Sequence, residues 1–301
     1  MFVYTHPDPV ALAIGPVNVP GYGPVGPLLL RWYGIMYLVG FLAGWWLARR
    51  RARRPGSTWT AANVDDLIFH CAIGVIVGGR LGWMLFYGTE RLLADPLSIV
   101  RIWEGGMAFH GGLVGVIVAL MLFARSRGKR IADVWDFTTP LGAIGFGAGR
   151  IGNFINGELW GKPTDVPWAF VVDGVARHPS QLYEALLEGL VLFVIMWWFT
   201  ARPRPRLAPS GLVLLCYGLF RFAVEFVRVP DENRGYLAFD WLTMGQLLSL
   251  PMIVAGVWML VLAYRRNEPS GNYTMMPLPR YSFRHVADFG KLMKGSMAAG
   301  Q

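Results

Sequence analysis

Charge is what this chain has little of. Of its 301 residues only 16% are charged, while 54% are hydrophobic; ordinary soluble domains carry about 25% charged residues. That deficit argues against a soluble enzyme and against a disordered chain. Cysteine is nearly missing. Cys71 and Cys216 are the only two, which excludes a disulfide framework and a cysteine-rich metal site. Both lie in apolar runs, where a thiol behaves as a small buried hydrophobe. No basic stretch followed by a short apolar core and a small-residue cleavage site opens the chain, so no cleavable leader is expected. An HExxH pair, a Walker A loop and a GxSxG elbow are absent too. A zinc protease, an ATPase and an α/β-hydrolase therefore lack support, and no acidic ring or filter-like loop suggests a cation channel.

Long apolar runs and a basic balance are what is there. The net charge is +9, with 28 Lys and Arg against 19 Asp and Glu; the mean hydropathy is +0.40. A basic, apolar chain reads as a membrane protein with basic cytoplasmic loops, not as a nucleic-acid binder. A spanning helix needs roughly 20 mainly apolar residues. Six stretches fit: 29–48, 67–87, 107–124, 182–200, 211–228 and 241–264. A seventh, 134–155, is weaker, holding Asp136, Pro140, Arg150 and five glycines. Counting it puts every basic cluster on one side: 49–54, 125–130, 202–206 and the tail after Tyr264 together hold 18 of the 28 cations. The positive-inside rule then places the N-terminus outside and the C-terminus in the cytoplasm. The expected fold is an all-α polytopic integral membrane protein of seven transmembrane helices over 1–264, with a small outer head at 156–181. A polar, basic, flexible tail follows at 265–301. Gly74, Gly78 and Gly82, then Gly111, Gly115 and Ala119, then Gly145 and Gly149, give small-xxx-small faces for close helix packing.

The cations that break the orientation rule are the candidates for chemistry. Arg80, Arg150 and Arg221 fall inside spans, where an ionised group costs about 2.5–3.5 kcal/mol on insertion scales; Arg31 and Arg228 stand at span edges. Tyr217, Arg221 and Glu225 share a helix face at i, i+4 and i+8. Arg150 opens the run Gly149-Arg150-Ile151-Gly152-Asn153-Phe154-Ile155-Asn156-Gly157-Glu158-Leu159-Trp160-Gly161. Gln181, Glu184 and Glu188 form a second polar stripe, fitted to orient arginines. His110 opens the third span. Two arginines, a histidine and several acids facing the outer half of the bilayer suit an anionic headgroup or a phosphate leaving group, with the histidine as general base. A transporter or flippase for an anionic lipid would use the same arginines without breaking a bond.

The run Gly149–Gly161 closely resembles the signature of the prolipoprotein diacylglyceryl transferases. Other stations agree: Trp32-Tyr33-Gly34, Phe109-His110-Gly111-Gly112-Leu113, Trp135-Asp136-Phe137, Arg177-His178-Pro179-Ser180-Gln181-Leu182-Tyr183-Glu184, Phe220-Arg221-Phe222-Ala223-Val224-Glu225-Phe226 and Met244-Gly245-Gln246. The resemblance covers about Val10 to Arg266. It implies a multi-pass enzyme of the bacterial inner membrane, with its head in the periplasm. The enzyme would move a diacylglyceryl group from phosphatidylglycerol to the lipobox cysteine thiol of a preprolipoprotein, releasing glycerol 1-phosphate. It implies His110, Arg150 and Arg221 as catalytic residues, with Arg150, Tyr33, Asn153, Glu158, Gly161 and Glu225 binding substrate. Asp136 matches a further family position, but its place at the cytoplasmic end suggests a structural part. No metal, cofactor or nucleic acid is implied. Arg31 departs from the family, which often has histidine there, and the segment Lys162–Ala176 is shorter than in some relatives.

Overall fold

The computed structural model describes residues 1–19, 23–25, 27–230 and 235–274; Arg234 and most of the basic tail lie outside the described residues. Seven long helical rods occupy the expected stretches. They are α1 (Trp32–Ala52), α2 (Ala61–Phe86), α4 (Phe109–Ser126), α5 (Ile131–Ile155), the continuous rod Ser180–Phe199, α8 (Ala208–Val224) and α9 (Met244–Arg266). The rod Ser180–Phe199 is built of α6 (Ser180–Glu184), a π-helical stretch Ala185–Val191 and α7 (Leu192–Phe199). A short α3 (Thr89–Ala94) follows α2. Among the described residues four rods are long and apolar enough to cross a membrane by length and composition: α2, α4, Ser180–Phe199 and α9. α8 is apolar but shorter.

Glycine decides how closely these helices approach. A Cβ on Gly78 would sit 2.7 Å from Gly115 Cα, and one on Gly82 would sit 2.7 Å from Gly111 Cα. α2 and α4 therefore meet backbone to backbone, which only small residues allow. α1 meets α5 at Gly40 and Gly145, and Gly147 of α5 meets Gly189 of the π-helical stretch. Gly149 meets nothing and belongs to no packing face.

The basic loops gather at one end. There Trp59 stacks between Phe137, 3.9 Å away, and Phe123, 5.8 Å away. Asp136 is buried and accepts from the Leu207 amide at 2.8 Å, the Ser210 amide at 3.1 Å and the Ser210 hydroxyl at 2.6 Å. It thereby satisfies amides that the start of α8 would leave bare; this is the structural part expected of it. Part of the tail is docked, not free. The Gly271 amide donates to Asp133 Oδ1 at 2.9 Å. Asn272 donates to the Asp133 carbonyl at 2.8 Å and accepts from Trp59 Nε1 at 2.7 Å. Arg206 joins Asp133 to Glu268.

The opposite end is not all-α. Leu28–Arg31 (β5) pairs antiparallel with Val10–Ile14 (β2), so α1 starts at Trp32, three residues later than the apolar run suggests. Val17–Val19 (β3) and Gly23–Val25 (β4) form a second hairpin, and Phe2–Val3 (β1), Phe170–Val172 (β6) and Val175–Arg177 (β7) a three-stranded sheet ordered β1-β6-β7. Extended segments beyond the helix ends satisfy their backbones by pairing locally. α8 likewise ends at Val224, leaving Arg228 past the turn that follows, in an antiparallel bridge with Gly161.

Candidate active site

Three arginines converge on one buried carboxylate. Glu184 sits on α6 at 0% side-chain exposure. Arg150, near the end of α5, brings Nε within 2.5 Å of Glu184 Oε2. Arg221 of α8 donates from Nη1 to Glu184 Oε1 at 3.3 Å, and Arg228 donates to the same oxygen. Arg221 also pairs with Glu225 one turn along, and Arg228 Nε lies 3.2 Å from Glu225 Oε1. Glu225 Oε2 in turn accepts from the Thr243 hydroxyl at 2.6 Å. Thr243 caps α9 with Gln246 in a capping box, so the entry to α9 and the ion cluster are locked together.

Glu188 is different. It is 1% exposed, 4.0 Å from Arg150 Nη2, and neither of its carboxylate oxygens meets a hydrogen-bond donor. The π-helical stretch carries it one turn below Glu184. Three guanidinium groups and three carboxylates thus share one buried volume, with donors and acceptors imperfectly matched. Buried unpaired acceptors are rare in folded proteins, and π-helical turns concentrate at functional sites. An Arg–carboxylate contact is chemically close to an Arg–phosphate contact. These guanidinium groups can therefore exchange one oxyanion for another.

The glycine-rich run forms the rim. Asn153 and Asn156 each donate from Nδ2 to Glu158 at 3.1 Å. Gln181 donates to the Glu158 carbonyl, and Ser180 Oγ to the Leu159 carbonyl at 2.6 Å. Gly161 is squeezed between two strands of backbone: its amide donates to the His178 carbonyl at 2.9 Å, and a Cβ would lie 2.6 Å from the Val227 carbonyl oxygen. No side chain fits there. Tyr33 of α1 packs its ring on Gly152, and its hydroxyl lies 3.1 Å from that of Tyr37. Tyr4 donates to the Phe154 and Ile155 carbonyls at the end of α5. In the loop before α6, burial holds His178 below the ordinary histidine range, and its Nδ1 lies 3.1 Å from the Tyr183 hydroxyl.

Of the residues expected from sequence, the structure brings Arg150, Arg221 and Glu225 into one cluster, with Asn153, Glu158 and Gly161 in the adjoining rim. His110 is not joined to them by any described hydrogen bond or ion pair. It is exposed at the start of α4, its ring 5.6 Å from that of Phe109. It lines an apolar cleft of about 1380 Å³ between α2 and α4. Sequence reading missed Arg228 as a cluster member, though Arg221, Glu225 and Arg228 at i, i+4 and i+7 carry the signal. It also counted Arg80, Arg150 and Arg221 as the buried cations. Arg228 is buried too, at 12% side-chain exposure, and so is Arg51 at the basic end, where its guanidinium lies over Phe137.

Apolar helices around a buried cluster of arginines and carboxylates define a membrane-embedded helical protein. The family described as prolipoprotein diacylglyceryl transferase matches residues 20–262. The phosphatidylglycerol--prolipoprotein diacylglyceryl transferase of Solidesulfovibrio magneticus is 57% identical over 277 residues, covering 90% of this chain and 99% of that protein. The enzyme of the same name from Methylococcus capsulatus is 57% identical over 272 residues, 89% and 100%. That from Coxiella burnetii is 55% identical over 271 residues, again 89% and 100%. The chain belongs to the prolipoprotein diacylglyceryl transferase family.

Proposed function

We propose that this chain transfers the diacylglyceryl group of phosphatidylglycerol to the lipobox cysteine thiol of preprolipoproteins. One observation carries the site assignment: three guanidinium groups held around a single buried carboxylate, Glu184. The substrate's phosphodiester competes for Arg150 and Arg221. The cysteine thiol gives up its proton, and the thiolate is the nucleophile. It attacks the glyceryl carbon, the carbon–oxygen bond to phosphate breaks, and glycerol 1-phosphate leaves. Charge grows on the phosphate as that bond breaks, and preorganised cations stabilise it there. His110 takes the thiol proton as general base. Tyr33, Asn153, Glu158 and Gly161 shape the rim that holds the headgroup, and Glu225 binds it from within the cluster beside Arg221.

The chain crosses the bacterial inner membrane seven times, with its N-terminus and the head at 156–181 in the periplasm. The basic loops and the tail lie in the cytoplasm. The gathering of basic loops at one end supports this orientation. The site then opens toward the periplasm, at the level of the outer leaflet.

Purified protein given phosphatidylglycerol and a lipobox peptide is expected to add a diacylglyceryl mass to the peptide and to release glycerol phosphate. Lipid movement between leaflets with no released glycerol phosphate would favour a flippase instead. His110→Gln tests the base: turnover near that of the parent protein would remove the histidine from the reaction.

A further inference from the structure

Arg80 is the most completely buried arginine among the described residues, 2% exposed, and the transfer reaction as described makes no use of it. No described carboxylate pairs with it. Its five N–H donors all go to backbone carbonyls of one loop. Nε donates to Ile99 at 3.1 Å; Nη1 to Gly105 and, at 3.3 Å, to Gly106; Nη2 to Ser98 at 2.5 Å and to Arg101 at 3.0 Å. Guanidinium has five donors in a fixed planar fork, and here the loop uses every one.

The loop is shaped to be read this way. Gly105 and Gly106 have φ of +81° and +82°, in the left-handed region, which turns their carbonyls inward at little cost only for glycine. A Cβ on Gly106 would meet the ring of Trp83, over which the Arg80 guanidinium lies at 5.6 Å. Immediately after the loop, the Ala108 amide donates to the Gly79 carbonyl at 2.9 Å. Ala108 is the residue before α4, and His110 is the second residue of that helix.

The His110 ring has no hydrogen-bond partner among the described residues. Its described ring contact is with the adjacent Phe109, so the backbone at the start of α4 sets where its imidazole stands, and that backbone is tied to α2 by Arg80 and Gly79. We infer that Arg80 is a positioning residue for the transfer reaction: by gathering five loop carbonyls it sets the start of α4 and so the place of His110. This rests on the reading of His110 as the base.

Arg80→Lys tests it, because an ammonium has three donors where the loop needs five. The variant is expected to fold, to keep KM for phosphatidylglycerol within twofold, and to lose at least tenfold in kcat. Peptide-resolved modification by diethyl pyrocarbonate supplies a readout independent of turnover. The rate at His110 is expected to change at least threefold, while His70, toward the other end of α2, and His178 stay within the parent rates. Gly106→Ala distorts the same loop from the other side, should give the same pattern, and decides the matter if Arg80→Lys does not fold. A kcat within twofold of the parent, or a loss of kcat with the His110 rate unchanged, overturns the inference. A His110→Gln protein of normal turnover removes the histidine reading itself, and that outcome is distinct from a normal Arg80→Lys.

Discussion

The two ends of the bundle treat their buried charges in opposite ways. At the basic end, Asp136 accepts three hydrogen bonds, and Asp133 is shared between Arg206, the Gly271 amide and, through its carbonyl, Asn272. At the other end, three arginines crowd onto Glu184 while Glu188 finds no donor. Gln181 Oε1, Trp160 Nε1 and Gln246 Nε2 are also buried without partners there; among the described residues of the basic end, Arg51 Nε and Asn267 Oδ1 are. One end spends its polar groups on holding helices together. The other keeps them in excess, which is the expected state of a site whose ligand completes the pairing.

The comparison breaks most readily at Arg150. Arg150→Ala is expected to lower diacylglyceryl transfer at least a hundredfold, in line with the loss of a group that stabilises developing charge, with the helical circular dichroism spectrum unchanged. Normal turnover would show that the crowded end is merely a salt-bridge knot. Glu184→Gln comes next. It leaves three guanidinium groups without their common counter-ion, and removal of one partner of a buried pair costs about 3–5 kcal/mol. Both turnover and melting temperature should fall. At the basic end the effects should separate. Asp136→Ala is expected to cost about 1–2 kcal/mol, the loss of a helix cap, with kcat and KM within twofold. Asn272→Ala should cost about 1 kcal/mol for its lost bonds, again without kinetic effect; thermal melts and steady-state assays check both.

The smallest effect concerns pH. His178 has its folded value held down by burial, so between the folded and the unfolded value the unfolded chain binds more protons. Stability from this group is complete above about pH 6.5, the ordinary histidine value, and is lost as pH falls below it. Melting curves of the parent protein and His178→Gln should diverge slightly between pH 7 and pH 5. Parallel curves would contradict the assignment.

Much of the fold was legible because its long elements are written locally. Runs of about 20 apolar residues place the rods to within a few residues, and glycines four apart give the α2–α4 contact. The hairpins before α1 were not legible, because Leu28–Arg31 reads as the start of an apolar helix and only its partner Val10–Ile14 makes it a strand. The docking of Gly271 and Asn272 was hidden for the same reason: the residues they meet, Trp59 and Asp133, are more than a hundred positions away. At the site, sequence reading reached Arg150, Arg221 and Glu225 and marked Glu184 as an acid that could orient them. That Glu184 is shared by three arginines depends on how α5, α6 and α8 face one another, which spacing along one helix does not encode.

The docked stretch at the basic end sets an order on the making of the protein. Trp59, Asp133 and Arg206 are synthesised well before the residues that complete their bonding, Glu268, Gly271 and Asn272. Until the ribosome has released that stretch, the basic face stays open, with a bare indole N–H at Trp59 and Asp133 short of donors. A chain stopped just after Arg266 would carry every described helix and still lack this latch, so the last described stretch closes a face that the helices alone leave open.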